Sequence, residues 1–186
     1  KIKNKKDIKI ILKKFNNERL KNKIKELNFK NIIEIAPWKK FKLNDDFYVS
    51  IIPQETNNKD SIDTKINYDL DTSVIVQSIN AQKIFYNNVD NPLSINDLKK
   101  LNKFVKVQYK SKIDVVCFPL GGASEYPQCF FNINKKKERE RIIDNSVVTV
   151  KKKLDILKPA IFFPAGGNYL IYGKFSHLNK FIAQPD

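Results

Sequence analysis

The sequence predicts an α/β protein with mixed sheets, and three observations predict it. A strand–helix–strand pattern opens the chain over residues 7–36, and strands joined by short turns follow between residues 40 and 86. Two apolar strands, near 113–118 and 160–163, then flank a long amphipathic helix. At 186 residues, 41% of them apolar, the chain has the size of a single domain over residues 1–186 with one core.

Asp7–Leu12 alternates as a short strand, and Asn16–Asn28 follows as a helix with Leu20, Ile24 and Leu27 on one face and Asn16 or Asn17 as its N-cap. Asn31–Ala36 is the next strand, and a helical crossover of this kind makes the two strands parallel. The pattern then changes: Lys40–Leu43, a turn at Asn44–Asp46, Phe47–Ile52, Thr72–Ser78 and Lys83–Tyr86 read as antiparallel neighbours. Between them, Gln54–Asp71 is a polar stretch long enough to cover a site, a candidate lid.

Asn96–Phe104 reads as a second helix started at Ser94, and Ile113–Phe118 as a buried strand with Cys117 a small core residue. From Lys136 to Leu157 the residues Ile143, Val147, Val150, Leu154 and Leu157 fall in steps of four and three, a seam that packs on a sheet. Pro159 ends this helix, because the residue before a proline avoids helical angles. Trp38, after Pro37, reads as a packing anchor, and the basic tract Lys135–Lys137 as a solvated helix start.

Composition narrows the function. No run of 18 uninterrupted apolar residues occurs and no secretory signal precedes the first strand, so the sequence predicts a soluble cytoplasmic protein without a membrane span. Cys117 and Cys129 lack the spacing of a disulfide framework or a zinc ribbon. A net charge of +15 suits a polyanion, but only Arg19, Arg139 and Arg141 among 35 basic residues are arginines, which disfavours nucleic acid as the partner. The start at Lys1 and the absence of methionine lead to the expectation that the chain is a portion of a longer polypeptide.

Four of the five glycines stand in two pairs, Gly121-Gly122 and Gly166-Gly167, each just after an apolar strand. Such pairs free the backbone for tight corners or for close approach of a ligand, and sites in open α/β sheets gather at the carboxyl ends of strands. Two plain turns fit a glycine pair as well. Ser124, Glu125 and Tyr126 after the first pair, and Asn168 and Tyr169 after the second, supply polar and aromatic groups that suit the lining of a site. Neither loop has the spacing of a phosphate-binding or dinucleotide-binding glycine motif. His177, the one histidine, reads as a solvated loop residue, and with no strand–turn nucleophile motif around it the sequence argues against a Ser-His-Asp or Cys-His arrangement.

Four phrases in order, Asp71–Val76, Phe85–Pro92, Ile113–Cys129 with Gly122-Ala-Ser-Glu-Tyr-Pro127 at its centre, and Lys158–Gly166, resemble the later part of metallo-β-lactamase-fold proteins. The similarity extends from about Phe29 onward and is closest to the CMP-N-acetylneuraminate hydroxylase branch. The resemblance implies the C-terminal portion of an αββα sandwich with a zinc or iron site at one edge. In this reading the N-terminal half of the fold, with an H-x-H-x-D-H cluster, and an iron–sulfur domain are partners. Asp90 matches the metal-bridging aspartate, although Asn88-Val89-Asp90-Asn91-Pro92 is offset by one from the usual Asn-Asp-x-Asn-Pro, and an Asx turn ahead of Pro92 is the alternative. Glu125 and Asn168 replace the tryptophan and proline of the family pattern.

The resulting expectation is part of a metal-dependent hydrolase or hydroxylase acting on an anionic, nucleotide-linked sugar. Gly121, Gly122, Ser124, Glu125, Tyr126, Gly166, Gly167, Asn168 and Tyr169 would hold the substrate, and Asp90 the metal. The alternative is a non-catalytic binding or assembly module on the same fold that has lost its metal ligands.

Overall fold

The computed structural model describes residues 7–15, 17–53, 72–89, 91, 93–121, 124–165 and 169–185. The candidate lid at 54–71 lies outside them. The elements are β1 (Lys9–Lys13), α1 (Arg19–Glu26), β2 (Asn31–Ile35), β3 (Phe41–Lys42), β4 (Phe47–Pro53), β5 (Thr72–Ser78), β6 (Ile84–Asn87), α2 (Ile95–Tyr109), β7 (Val115–Phe118), α3 (Lys135–Leu157), β8 (Ile161–Pro164) and a 3₁₀ segment, Gly173–Phe181. The chain is thus mixed α/β.

Two sheets form. β1 and β2 pair in parallel, as a strand–helix–strand unit dictates, and stand as a sheet of their own. The other six strands pair in sequence order, β3-β4-β5-β6-β7-β8, antiparallel from β3 to β6 and parallel from β6 to β8. The switch comes where short turns give way to helical crossovers: α2 links β6 to β7, and α3 links β7 to β8.

Pleating divides the large sheet into two apolar faces. Ile52, Ile75, Ile84, Tyr86, Val116 and Phe118 turn toward α2 and the end of α3, and pack with Leu98, Leu101, Val105 and Leu157 into the core. Val49, Ile51, Val74 and Val76 turn the other way and, with Ile11 of β1, line a cavity of about 310 Å³. β1 therefore lies over the β4–β5 part of that face. Further along it, Phe85, Ile161 and Phe163 are 37%, 52% and 56% exposed.

Helix α2 starts where Ser94 predicts: its hydroxyl accepts from Asp97 N at 3.1 Å and the Asp97 carboxylate accepts from Ser94 N at 3.3 Å, a capping box. It runs on to Tyr109, five residues past the predicted end, because Val105 and Tyr109 continue the buried face. Lys158, in the left-handed region at φ 48°, closes α3 just ahead of Pro159.

Several expectations need correction. α1 begins at Arg19 with Glu18 in the cap position, and Asn17 instead accepts from Arg19 N at 3.1 Å; Asn16 lies outside the described residues. None of α1 is buried, since the two-stranded sheet beneath it is too narrow to cover Leu20 and Leu27. The α3 seam is buried at Val150 and Leu157, but Val147 is 47% exposed because the helix outruns the short strands it crosses. Cys117 is only half-buried and shares a pleat face with Val115, away from the core, where partial burial raises its thiol pKa. Lys135 is held rather than solvated, donating to Gln128 O at 2.7 Å and lying over the Phe131 and Phe181 rings. Trp38 is the packing anchor expected, edge-on to Phe104 at 5.3 Å, with a φ of 57°.

Asp114 ties three strands together at their starts. Its carboxylate accepts from Lys83 Nζ at 2.8 Å and Ile84 N at 2.9 Å, and its carbonyl accepts from Ala160 N at 2.8 Å and Ile161 N at 3.0 Å. Burial pushes this carboxyl pKa up, but the Lys83 ammonium and the Ile84 N–H outweigh it and hold the value below the ordinary one. A depressed folded-state pKa stabilises above the unfolded value and loses that contribution as pH falls through the folded value. Asp114→Asn is therefore expected to cost about 1.5–3 kcal/mol in urea unfolding at pH 7. The gap from wild type should narrow below about pH 4; an unchanged midpoint at pH 7 contradicts the tie.

Candidate functional site

Because β6, β7 and β8 are parallel neighbours, the segments that follow them leave the sheet at one edge. Pairing of Asn88 N with Cys117 O and of Ala165 N with Phe118 O, both 2.9 Å, carries the ladder to that edge. β4 ends and β5 begins there too, since Pro53 pairs with Thr72 and Val74 with Asn87. Asp90 and the second glycine pair, Gly166-Gly167 with Asn168, lie outside the described residues, as does Gly122. What can be placed is Gly121, Ser124, Glu125, Tyr126 and Tyr169.

Four of these five join one cluster. The Tyr169 hydroxyl donates to the carbonyl of Ser124, and the Gln128 amide nitrogen donates to both the Ser124 carbonyl and the Tyr169 hydroxyl. The Ser124 hydroxyl accepts from Tyr126 N at 3.1 Å, and the Tyr126 hydroxyl donates to Glu138 at 2.7 Å, which also takes Arg141 at 2.7 Å. Burial raises the Tyr169 pKa, with the Gln128 hydrogen bond opposing, so the phenol stays neutral. Glu125 contributes backbone only, its carbonyl accepting from Cys129 N at 2.9 Å, while its side chain is exposed. These contacts fold the loop; they consume the polar groups of Tyr126 and Tyr169 rather than present them to a ligand.

Gly121 does need its freedom. Its φ is +97°, and the C-terminal tail lies against it, with a Cβ there 3.4 Å from Pro185 Cδ and 3.5 Å from Gln184 Cγ. This contact divides two clefts. The first, about 300 Å³, lies between the end of β7 and one face of α3, lined by Pro119, Gly121, Asn145, Ser146, Thr149 and Lys153. The second, about 580 Å³, lies beyond the tail and is lined by Arg139, Tyr169, Leu170, Tyr172, Gln184 and Pro185.

Lys153 is the one charged residue lining the first cleft among the described residues. Its ammonium sits 5.6 Å from the centroid of the buried Phe118 ring, and burial lowers its pKa. It makes no ion pair with a carboxylate among the described residues. The Ser146 hydroxyl, which also lines the cleft, donates back to Ile142 O at 2.9 Å. Sequence reading missed Lys153 because it closes the run Lys151-Lys152-Lys153, which looks like a solvated face. It missed Gln128 and the returning tail because nothing local marks them as buried.

Beneath the rim lies a polar chain. Asn88 Nδ2 donates to Tyr86 OH at 2.6 Å, Tyr86 OH meets Ser73 Oγ at 3.1 Å, and Asn91 Nδ2 donates to Ser73 Oγ and Ile52 O, both at 3.2 Å. Asn88 Oδ1 and Asn91 Oδ1 are buried without a partner among the described residues. Among the described residues no group of three or more His, Cys, Asp or Glu residues could hold a metal. His177 is exposed, its ring 3.1 Å from Lys174 O.

No protein-family model matches the chain, and no curated protein matches it. Replacing Gly121 by alanine is expected to cost about 1–2 kcal/mol through the positive φ. The Cβ itself meets only ordinary contacts. A lowered melting temperature checks this, and an unchanged one means the corner tolerates an L side chain.

Proposed function

We propose that the chain is the later, substrate-holding part of a metallo-β-lactamase-like αββα sandwich of the CMP-N-acetylneuraminate hydroxylase kind, and that its rim binds the anionic part of a nucleotide-linked sugar. The observation that carries the reading is Lys153: a half-buried ammonium without a carboxylate partner among the described residues, in a cleft at the carboxyl end of a parallel strand. A cation partly removed from water binds an anion more strongly than a solvated one, because less screening separates the charges. Asn145 and Thr149 line the same cleft and can complete the shell of a phosphate.

The layer order supports the sandwich. α1 lies on the outer side of β1–β2, where Lys21 bonds Glu34 at 2.5 Å, and Ile11 on the inner side meets the large sheet, which carries α2 and α3 on its far face. The exposed Phe85, Ile161 and Phe163 continue the face that β1 covers, so further strands beside β1–β2 belong over them. In this reading those strands are the N-terminal half of the fold.

The zinc or iron that the resemblance implies does not find a ligand set among the described residues. The amide oxygens at the rim without a partner among the described residues, Asn88 Oδ1 and Asn91 Oδ1, are neutral and poor ligands for either ion without carboxylate or imidazole beside them. The described residues bind and orient; they supply no step at a metal.

Lys153→Gln is expected to weaken binding of CMP-N-acetylneuraminate about tenfold, read by titration calorimetry. The lysine must be protonated to attract the anion, so affinity should fall as pH rises through its lowered pKa, before the ordinary lysine value. The variant should lack that fall. Equal affinity for both proteins would overturn the reading.

A further inference from the structure

The three helices treat their cations differently. At α1, Lys21 pairs with Glu18 at 3.1 Å and Lys23 with Glu26 at 2.7 Å, and on α3 Arg141 pairs with Glu138 at 2.7 Å, each partner three residues away. Helix α2 has one acidic residue, Asp97, and its carboxylate is taken by the backbone and hydroxyl of Ser94 in the cap. Lys99, Lys103, Lys106 and Lys110 are all exposed and make no ion pair among the described residues. Steps of four, three and four set them in a row off the side that buries Leu98, Leu101 and Val105, the last of them in the cap position, over about 16 Å of helix length. Beyond the row stands Lys40, its ammonium 4.1 Å from the Tyr48 ring centroid and 4.6 Å from that of Tyr109; burial lowers its pKa, and the charge of Lys110 lowers it further.

Like charges three and four residues apart weaken a helix, and no carboxylate among the described residues answers these. Three features name what answers them from outside. Lysine is a point charge on a flexible stem, which suits a diffuse anionic field rather than bidentate reading of single groups. The aliphatic side chains of Ile95 and Val107 flank the row, 37% and 59% exposed, and such groups enter a headgroup layer but offer no ring for a base to stack on. Helix α2 is an outer layer on the large sheet, so strands added over the sheet's open face leave its lysine row uncovered. We propose that this face of α2 binds the surface of an anionic lipid bilayer, with the lysines among the headgroups and Val107 at their boundary with the acyl chains. The contact is peripheral, since no described helix is long and apolar enough to cross a membrane. It does not involve the Lys153 cleft and stands apart from the function proposed above.

Flotation of the intact chain with vesicles tests this, using phosphatidylcholine alone and phosphatidylcholine with about a third phosphatidylserine. The chain should float with the second kind only, and should be released at about 1 M salt, where charges are screened within about 3 Å. Lys99→Gln, Lys103→Gln, Lys106→Gln and Lys110→Gln, combined, should weaken partition about fivefold for each lysine removed. The melting temperature of that variant should stay at or above that of wild type, because repelling neighbours have been removed. Lys136→Gln, Lys137→Gln, Lys151→Gln and Lys152→Gln, combined at exposed positions of α3, remove the same charge and should weaken partition less than about fivefold in all. Val107→Ser should weaken vesicle binding and leave retention on heparin unchanged. Equal losses for the two combined variants would reduce the effect to net charge and overturn the proposal. So would equal flotation with neutral vesicles, an α2 variant that still binds as wild type does, or a Val107→Ser change without effect on vesicles.

Discussion

The rim exists because Asp114 fixes where three strands begin. With its carboxylate on Lys83 and Ile84 and its carbonyl on Ala160 and Ile161, one residue sets β6, β7 and β8 at a common level. Strands that start level, run parallel and have similar length must also end level, so the segments after them are presented together at the far edge. A buried carboxylate is costly unless its oxygens are satisfied, and here an ammonium and a backbone N–H satisfy them. The charge that would be a liability in the core is thereby spent on register, a property the apolar contacts of short strands specify poorly.

At the opposite end the same sheet is held by neutral polar groups. Tyr86, near the end of β6, lies under α2 with its hydroxyl on Ser73 and Asn88, while Tyr109, the last residue of α2, reaches the middle of β4 with its hydroxyl on Ser50. Burial, opposed by those hydrogen bonds, pushes both phenol pKa values up to about 12. They remain uncharged hydrogen-bonding partners across the physiological range, and the chain from Tyr86 through Ser73 reaches Asn91 just past the end of β6. Asn88 and Asn91 are therefore anchored from below through their amide nitrogens, while their amide oxygens stay unmet among the described residues.

Much of the fold was legible because it rests on local rules. Ser94 and Asp97 announce a helix start by their spacing, Pro159 announces an end, and the change from short turns to helical crossovers announces the change from antiparallel to parallel pairing. Periodicity says which residues share a face, but not how long the surface opposite is. Hence Val147 belongs to the seam by spacing and still faces solvent, and Leu20 and Leu27 form a face over a sheet two strands wide. The candidate site was legible only in part for a related reason. Glycine pairs mark corners, whereas Lys153, Arg139 and Gln184 acquire meaning when α3 and the tail converge on Gly121, a contact between residues more than sixty apart in sequence.

The two faces of the large sheet are unequally served, and this bears on how the rim could work. Parallel strands are stable when both faces are covered. α2 and α3 cover one face of β6–β8, while β1–β2 reach only the β4–β5 side of the other. On the proposed sandwich reading, the strands that complete this layer run behind Phe85, Ile161 and Phe163 and end near the same edge. Side chains they bring there would approach Asn88 and Asn91 from the side that α2 does not occupy. Lys153 and the cleft it lines are elsewhere, on α3, separated from the open face by the thickness of the sheet. The layering keeps the two sides apart: the clefts lie on the α3 side of the sheet, and strands added over the open face would reach the edge without disturbing either cleft.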